Sequence, residues 1–433
     1  MKLRSRLSGV LSLLAWGLLP TASVSQSPDG EMRAHGGPVR ALAVVSEELL
    51  ASASFDSTVI AWNLKNGRAQ RIGRHHGTAV NALVARPDGC LVSGGEDGRI
   101  VTWCSAAAAE PTAAAGHTAA VSSLAVAPDG VTVASGGWDR TVRLWPAQGP
   151  SRILAEHAAP ITSVLFSSDG ATVISASHDG TLRLTPIGSS GAARIVKLEQ
   201  PANAMVRGST GTVLLAAADG GVRALDETLL AVSDIANLDG PLTAIALSPD
   251  GMTAAVGGLR TPLTLIDLAT HQVKPTPPSP GLPVWAIAFS KDGRDVFTGS
   301  GDRAVRRFDA RTGAASSPSI ATVPPPDMAD RRERGAIVFR ACAACHGVTA
   351  QDTNLAGPTL YRIMGRHIAA RSDYTYSAAL VGMNIVWSPA TIAELFEQGP
   401  TKYTPGTKMP EQRITDPEDR KALVDWLTRV TVP

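Results

Sequence analysis

Cys342-Ala343-Ala344-Cys345-His346 sets two thiols and an imidazole close together in a short run, an order of groups that suits covalent attachment of a c-type haem. Each thiol can form a thioether to a porphyrin vinyl group while the adjacent imidazole turns back to bind iron, so one tight turn fixes both ring and axial ligand. The same residues would also suit a zinc site or a redox dithiol. Zinc needs further Cys or His ligands nearby, and His367 is the only other histidine downstream. The motif occurs once, which predicts one covalently attached haem c per chain.

Lys2, Arg4 and Arg6 precede an apolar run over residues 7–19 that is short for a membrane span, and Pro20 and small residues follow. This reads as a signal peptide over residues 1–25, cleaved near Ser25, with retention as a short N-terminal anchor as the alternative. No later segment approaches a membrane helix, so no stable membrane span is expected after cleavage. The implied compartment is the bacterial periplasm, where c-type haem is attached and disulfides persist. The 433 residues, 44% hydrophobic with 41 Gly and 30 Pro, allow two domains rich in turns. A net charge of +2 offers no basis for nucleic-acid binding.

The haem motif needs elements to hold it. Gly335, Ile337, Val338 and Phe339 lead into Cys342 with the pattern of an amphipathic helix. Leu423, Trp426, Leu427 and Val430 repeat at helical spacing within residues 416–430, predicting a last helix that crosses the first. Between them come Gly357-Pro358-Thr359-Leu360, Gly365-Arg366, Tyr374-Thr375-Tyr376-Ser377, Trp387 and the loop Tyr403-Thr404-Pro405-Gly406-Thr407-Lys408-Met409-Pro410.

This ordered set resembles the class I cytochrome c family across residues 329–433. The resemblance implies an all-α domain with His346 as proximal ligand and Met409 as sixth ligand. It also implies that the Pro358 carbonyl accepts the second imidazole hydrogen, and that Arg366, Tyr376, Trp387 and Thr407 hydrogen-bond the haem propionates. Met364 and Met383 are expected to be core residues, since neither sits in the proline-glycine loop. Phe396 stands where related cytochromes often carry a tyrosine near the methionine sulfur. Lys402, Lys408 and Arg413 bracket the ligand loop and would steer an acidic redox partner, unless they are ordinary solvated charges. The run Arg331-Arg332-Glu333-Arg334 reads as a solvated helix start.

Upstream, residues 30–315 repeat. Pro87-Asp88-Gly89, Pro128-Asp129-Gly130, Ser168-Asp169-Gly170, Pro249-Asp250-Gly251 and Lys291-Asp292-Gly293 recur in phase, with a degenerate Ser209-Thr210-Gly211 among them. Runs of period two flank each triplet, so each unit predicts a small antiparallel sheet. A second ladder, Asp56, Asp97, Asp139, Asp179, Asp219 and Asp302, has partners at fixed offsets in most units: His35, His76, His117 and His157 before it, Ser52, Ser93, Ser135, Ser175 and Thr298 closer in, and Trp62, Trp103, Trp145 and Phe308 after it. These residues resemble the hydrogen-bonded network of WD40 repeats. The resemblance implies an all-β propeller over residues 26–317, seven blades favoured over six or eight, closed by pairing residues 28–34 with the last repeat. The fifth and sixth units depart from the pattern: Leu215 and Leu225 flank Asp219, and Arg260 takes the acid's place. Cys90 and Cys104 lie symmetrically about Asp97, as a disulfide or as two small apolar residues. A proline-rich linker over residues 318–328 would separate propeller from cytochrome.

The propeller carries no phosphate loop, metal motif or second haem motif, and the WD40 resemblance implies binding of a protein or peptide. The expected whole is a periplasmic monohaem cytochrome that transfers single electrons to or from a redox partner protein, a carrier rather than a catalyst with no catalytic residue, docked through its propeller. The alternatives are a haem peroxidase, a propeller oxidoreductase with an attached cytochrome, or a propeller scaffold or sensor with a redox reporter.

Overall fold

The computed structural model describes residues 31–316 and 333–431, apart from 105–109, 189–190, 209–210, 227–231, 278–280, 344, 351, 353–356, 375, 408 and 411. The segment read as a signal peptide, the proline-rich connector, Ser209, Thr210, Thr375 and Lys408 lie outside the described residues.

The repeats form seven four-stranded antiparallel sheets. The first blade is built from Val39–Ser46, Leu49–Ser54, Val59–Asn63 and Arg68–Gly73. Five more follow in chain order, and the seventh takes three strands from the end of the repeat region, Val284–Phe289, Asp295–Ser300 and Ala304–Asp309. Its fourth strand is Glu31–Arg33 from the start, paired antiparallel with Glu31 opposite Arg306. The ring is therefore closed by joining its two ends, which covers the edge of Ala304–Asp309 and leaves each blade with only short edges.

The turn triplets work by short-range bonding. In the third blade Asp129 accepts from the amides of Val131 and Thr132, both at 2.8 Å, while Gly130 takes φ +74°. A side chain there would force a left-handed backbone on an L-residue.

The second ladder binds the strands of each blade together. In the first blade His35 Nε2 lies 2.6 Å from Ser52 Oγ, Trp62 Nε1 donates to the same oxygen at 2.7 Å, and His35 Nδ1 faces Asp56. His76, Ser93, Trp103 and Asp97 repeat the arrangement, as do His117, Ser135, Trp145 and Asp139. His157 joins Asp179 and Ser175 in the fourth blade, where no tryptophan is present. Buried carboxylates are costly unless supplied with donors, and these blades supply them.

Blades without the histidine pair other charges. Arg223 pairs with Asp219 in the fifth blade, and in the sixth Arg260, in the acid's place, stands 3.7 Å from Asp239, an exposed pair. In the seventh, Gly281 takes the histidine position, and a Cβ there would lie 2.0 Å from Arg306 Nη1. The Arg306 guanidinium thus occupies that space, only 1% exposed, binding Asp302 and Glu31 together. Cys90 and Cys104 form a disulfide across the second blade, their Cα atoms 4.3 Å apart.

Among its described residues the second unit holds five helices: α1 (Arg334–Ala343), α2 (Ala378–Val381), α3 (Pro389–Gln398), α4 (Pro400–Tyr403) and α5 (Pro417–Val430). Helices α1 and α5 cross at Gly335, where a Cβ would lie 2.2 Å from the Ala422 carbonyl oxygen, so only glycine allows the approach. The Phe339 and Trp426 rings pack beside it, 4.7 Å between centroids. Asp416 caps α5 by accepting from the amides of Glu418 and Asp419. The charged start of α1 does more than meet solvent, because Arg334 binds Asp416 and Asp419, and Glu333 pairs with Arg429. This unit sits against the rim of the propeller, where Gln412 Nε2 donates to the Ala34 carbonyl at 2.8 Å. Among the described residues no helix is long and apolar enough to cross a membrane.

Candidate haem site

Helix α1 delivers Cys342 in its last turn, and the chain then reverses: the amides of Cys345 and His346 donate to the Cys342 carbonyl at 3.0 and 2.9 Å. That turn brings both thiols and the imidazole to one wall of a cavity. The segment around Gly357 is tied back to it, Gly357 N to Cys345 O at 2.9 Å and Leu360 N to Gly347 O at 2.8 Å. His346 Nδ1 donates to the Pro358 carbonyl at 2.7 Å, which commits one ring nitrogen and leaves Nε2 with its lone pair. Gly357 presses on the ring, since a Cβ there would lie 2.4 Å from His346 Cε1.

The electrostatics suit neutral ligands. Burial lowers the His346 pKa, opposed by the bond to Pro358 and helped by the Arg366 charge, so the imidazole stays unprotonated. Burial pushes the thiols of Cys342 and Cys345 up to about 12. Such sulfurs are held uncharged, as thioethers are, whereas a zinc site or a reactive dithiol wants thiolate. Among the described residues no group of three or more His, Cys, Asp or Glu side chains could hold a metal ion.

The opposite segments bring the rest of the lining. Met409 reaches the cavity from the loop after α4, its amide donating to Thr407 Oγ1 at 3.1 Å, and Thr407 lines the cavity too. Met364 and Met383 do not line it. Gly365 N donates to Trp387 O at 2.8 Å and Trp387 N to Arg366 O at 2.9 Å, a pairing that sets Arg366 and Trp387 side by side on the cavity wall. Each terminal nitrogen of Arg366 gives one hydrogen to backbone, to Tyr361 O at 2.9 Å and to Thr359 O at 3.0 Å, two of the five N–H donors of the guanidinium. Tyr376 lines the cavity with Tyr374 packed edge-on, 4.8 Å between ring centroids. Phe396 is buried in the wall. Lys402 is exposed, and Arg413 Nε donates to the Glu397 carbonyl.

The nine site residues read from sequence therefore meet around one cavity. Sequence reasoning named Tyr374 in its motif without a site role, missed Ile368 and Leu380, which have no distinctive spacing, and missed Ile72, which comes from the propeller. The donor set fits a haem: two neutral sulfurs at attachment spacing, an imidazole with a free Nε2, a methionine from a separate loop and a largely apolar wall.

Fold and site together define a β-propeller joined to a c-type cytochrome. The family model for the WD domain, G-beta repeat, matches residues 67–104, 111–146, 148–185 and 276–309, and the cytochrome c model matches residues 332–431. Cytochrome c of Kluyveromyces lactis is 32% identical over 108 residues, 25% of this chain and 97% of that protein. Cytochrome c2 of Agrobacterium tumefaciens is 35% identical over 97 residues, 22% of this chain and 86% of that protein. Among solved structures, the crystal structure of the WD40 beta propeller domain of Doa1 is similar with a TM-score of 0.56 and 21% identity, covering 64% of this chain and 96% of that one, a likeness of fold alone. The chain belongs to the cytochrome c family through its C-terminal domain, fused to a propeller of WD40 repeats. Membership implies covalently bound haem c and electron transfer, and the WD40 repeats imply protein interaction.

Proposed function

We propose that this protein is a periplasmic monohaem electron carrier whose propeller docks it on a protein partner. The observation that carries the reading is one cavity receiving Cys342, Cys345, His346 and Met409 together. When bound, the haem supplies an iron that cycles between ferric and ferrous states, and a thioether facing an imidazole favours the ferrous one. The chain's part is to orient ligands and exclude water. His346 is held in one tautomer by Pro358, Thr407 braces the methionine loop, and Arg366, Tyr376 and Trp387 offer polar groups for propionates at the cavity wall.

The single CxxCH motif supports one haem, and the basic, apolar N-terminus supports export to the periplasm. Docking is supported by exposed aromatic side chains at equivalent turns of different blades, Phe55 and Trp138, each directly before the ladder aspartate, with Trp138 60% exposed. An optical redox titration of the full chain tests the carrier reading. A single reversible one-electron wave is expected, with no turnover of hydrogen peroxide. Peroxide turnover by the ferric protein would favour the peroxidase alternative.

A further inference from the structure

The outer strand of the first blade, Arg68–Gly73, runs along the haem site. Ile72 is 9% exposed and lines the cavity, while every other lining residue comes from residues 339–427. Cys345, 5% exposed, packs into the hydrophobic cluster of the propeller with Leu50, Trp62 and Ile72. One of the two sulfurs that would carry the haem is thus covered by the blade rather than by solvent.

Two arginines bracket Ile72 and reach both ligand segments. Arg74 donates through Nη2 to the Met409 carbonyl at 3.1 Å and through Nη1 to Thr401 Oγ1 at 2.9 Å, so one guanidinium ties α4 to the methionine loop. Arg68 Nη2 lies 3.4 Å from the carbonyl of Ala343, between the two attachment cysteines, and Nη1 is 3.9 Å from Asp352, which is itself bound by Thr349. On the far side of Met409, Gln412 holds the Ala34 carbonyl. Among the described residues the loop bonds to itself through Thr407 N to Thr404 O and Met409 N to Thr407 Oγ1.

We propose that the first blade is a working wall of the haem site, with Arg74 and Arg68 as positioning residues that hold the methionine loop and the attachment turn. The proposal rests on the haem reading above. An outward movement of the loop that carried Met409 away from a bound haem would pull the Met409 carbonyl from a charged donor whose planar fork is anchored in another domain. The seating of the propeller therefore sets how well Met409 competes with outside ligands.

Imidazole titration of the ferric full-length protein reads this competition, followed by loss of the weak far-red band of methionine-bound haem. Arg74→Gln is expected to raise imidazole affinity roughly tenfold, the scale of one lost charge-assisted hydrogen bond. Arg68→Gln, whose contacts are longer, should raise it about threefold. Arg74→Lys, which keeps the charge but not the fork, should fall between parent and Arg74→Gln. Arg294→Gln, an exposed position elsewhere on the propeller, should bind imidazole as the parent does. Parental affinity in both glutamine variants, with unchanged circular dichroism, would overturn the proposal. Should Arg74→Gln fail to fold, Gln412→Ala is read by the same criterion. A parent without covalent haem, or without the methionine band, would instead overturn the haem reading and the proposal with it.

Discussion

Closing the propeller ring should depend on Arg306. Its guanidinium is 1% exposed and binds Glu31 from the first strand and Asp302 from the last blade, with Nε to Glu31 at 2.8 Å and Nη1 to Asp302 at 2.9 Å. Arg306→Met keeps the length and apolar stem but deletes the charge, leaving two carboxylates facing one another. Stripping one partner from a buried ion cluster costs about 3–5 kcal/mol. The lower end applies, because the Glu31 and Asp302 side chains keep 17% and 33% exposure and Arg33 still reaches both. The expected loss is therefore about 3 kcal/mol of propeller stability. Urea unfolding followed by tryptophan fluorescence measures it, with haem absorbance as a separate signal for the second domain. The triple variant Arg306→Met, Glu31→Gln, Asp302→Asn should regain about half of the loss, since no buried carboxylate is left facing another and the Arg33 side chain, 38% exposed, can turn to solvent. A loss below about 0.5 kcal/mol for the single variant, on a scale where exposed pairs contribute that little, would show that the ion cluster does not secure the ring.

Acid should weaken the propeller in two stages. Burial lowers the pKa of His76, His117 and His157 from 6.5 despite their aspartate partners, so below that pH the unfolded chain takes up protons that the folded one refuses. Burial alone would raise Asp97, Asp139 and Asp179, but hydrogen bonds outweigh it and hold all three below 3.8, Asp179 at about 2. Their contribution is complete above pH 3.8 and is lost as pH falls through the folded values, so urea midpoints should drop first below pH 6.5 and again below 3.8; a midpoint that is flat or rises with acid would contradict the assignment. Non-reducing mass spectrometry should find Cys90 and Cys104 joined, and replacing both with serine should cost about 2–3 kcal/mol for a loop of this size; free-thiol labelling of both in the folded protein would end that assignment.

Much of this architecture is legible in the sequence because its signals are local or repeated. The turn triplets mark each hairpin by short-range bonding to an aspartate, and the offsets from Asp to His, Ser and Trp match hydrogen bonds that close within one blade. Arg306 was hidden because the pairing four residues after the ladder aspartate, which it shares with Arg223, stands outside the histidine pattern, and because Gly281 gives no hint of the guanidinium it admits. In the haem domain, CxxCH and the methionine loop stand out by composition. Arg68, Ile72 and Arg74 do not: they sit in an ordinary outer strand, and their approach to Ala343 and Met409 depends on how two domains pack across more than 250 intervening residues.

The ferric absorption spectrum of the full-length protein, recorded beside that of Met409→Ala, tests the electron-carrier reading most directly. The parent is expected to show low-spin haem with the weak far-red band of methionine ligation, and the variant to lose that band and turn high-spin, while denatured protein of both kinds keeps its haem on Cys342 and Cys345. A parent that is already high-spin, or a variant whose band persists, would contradict Met409 as the sixth ligand and the carrier function built on it.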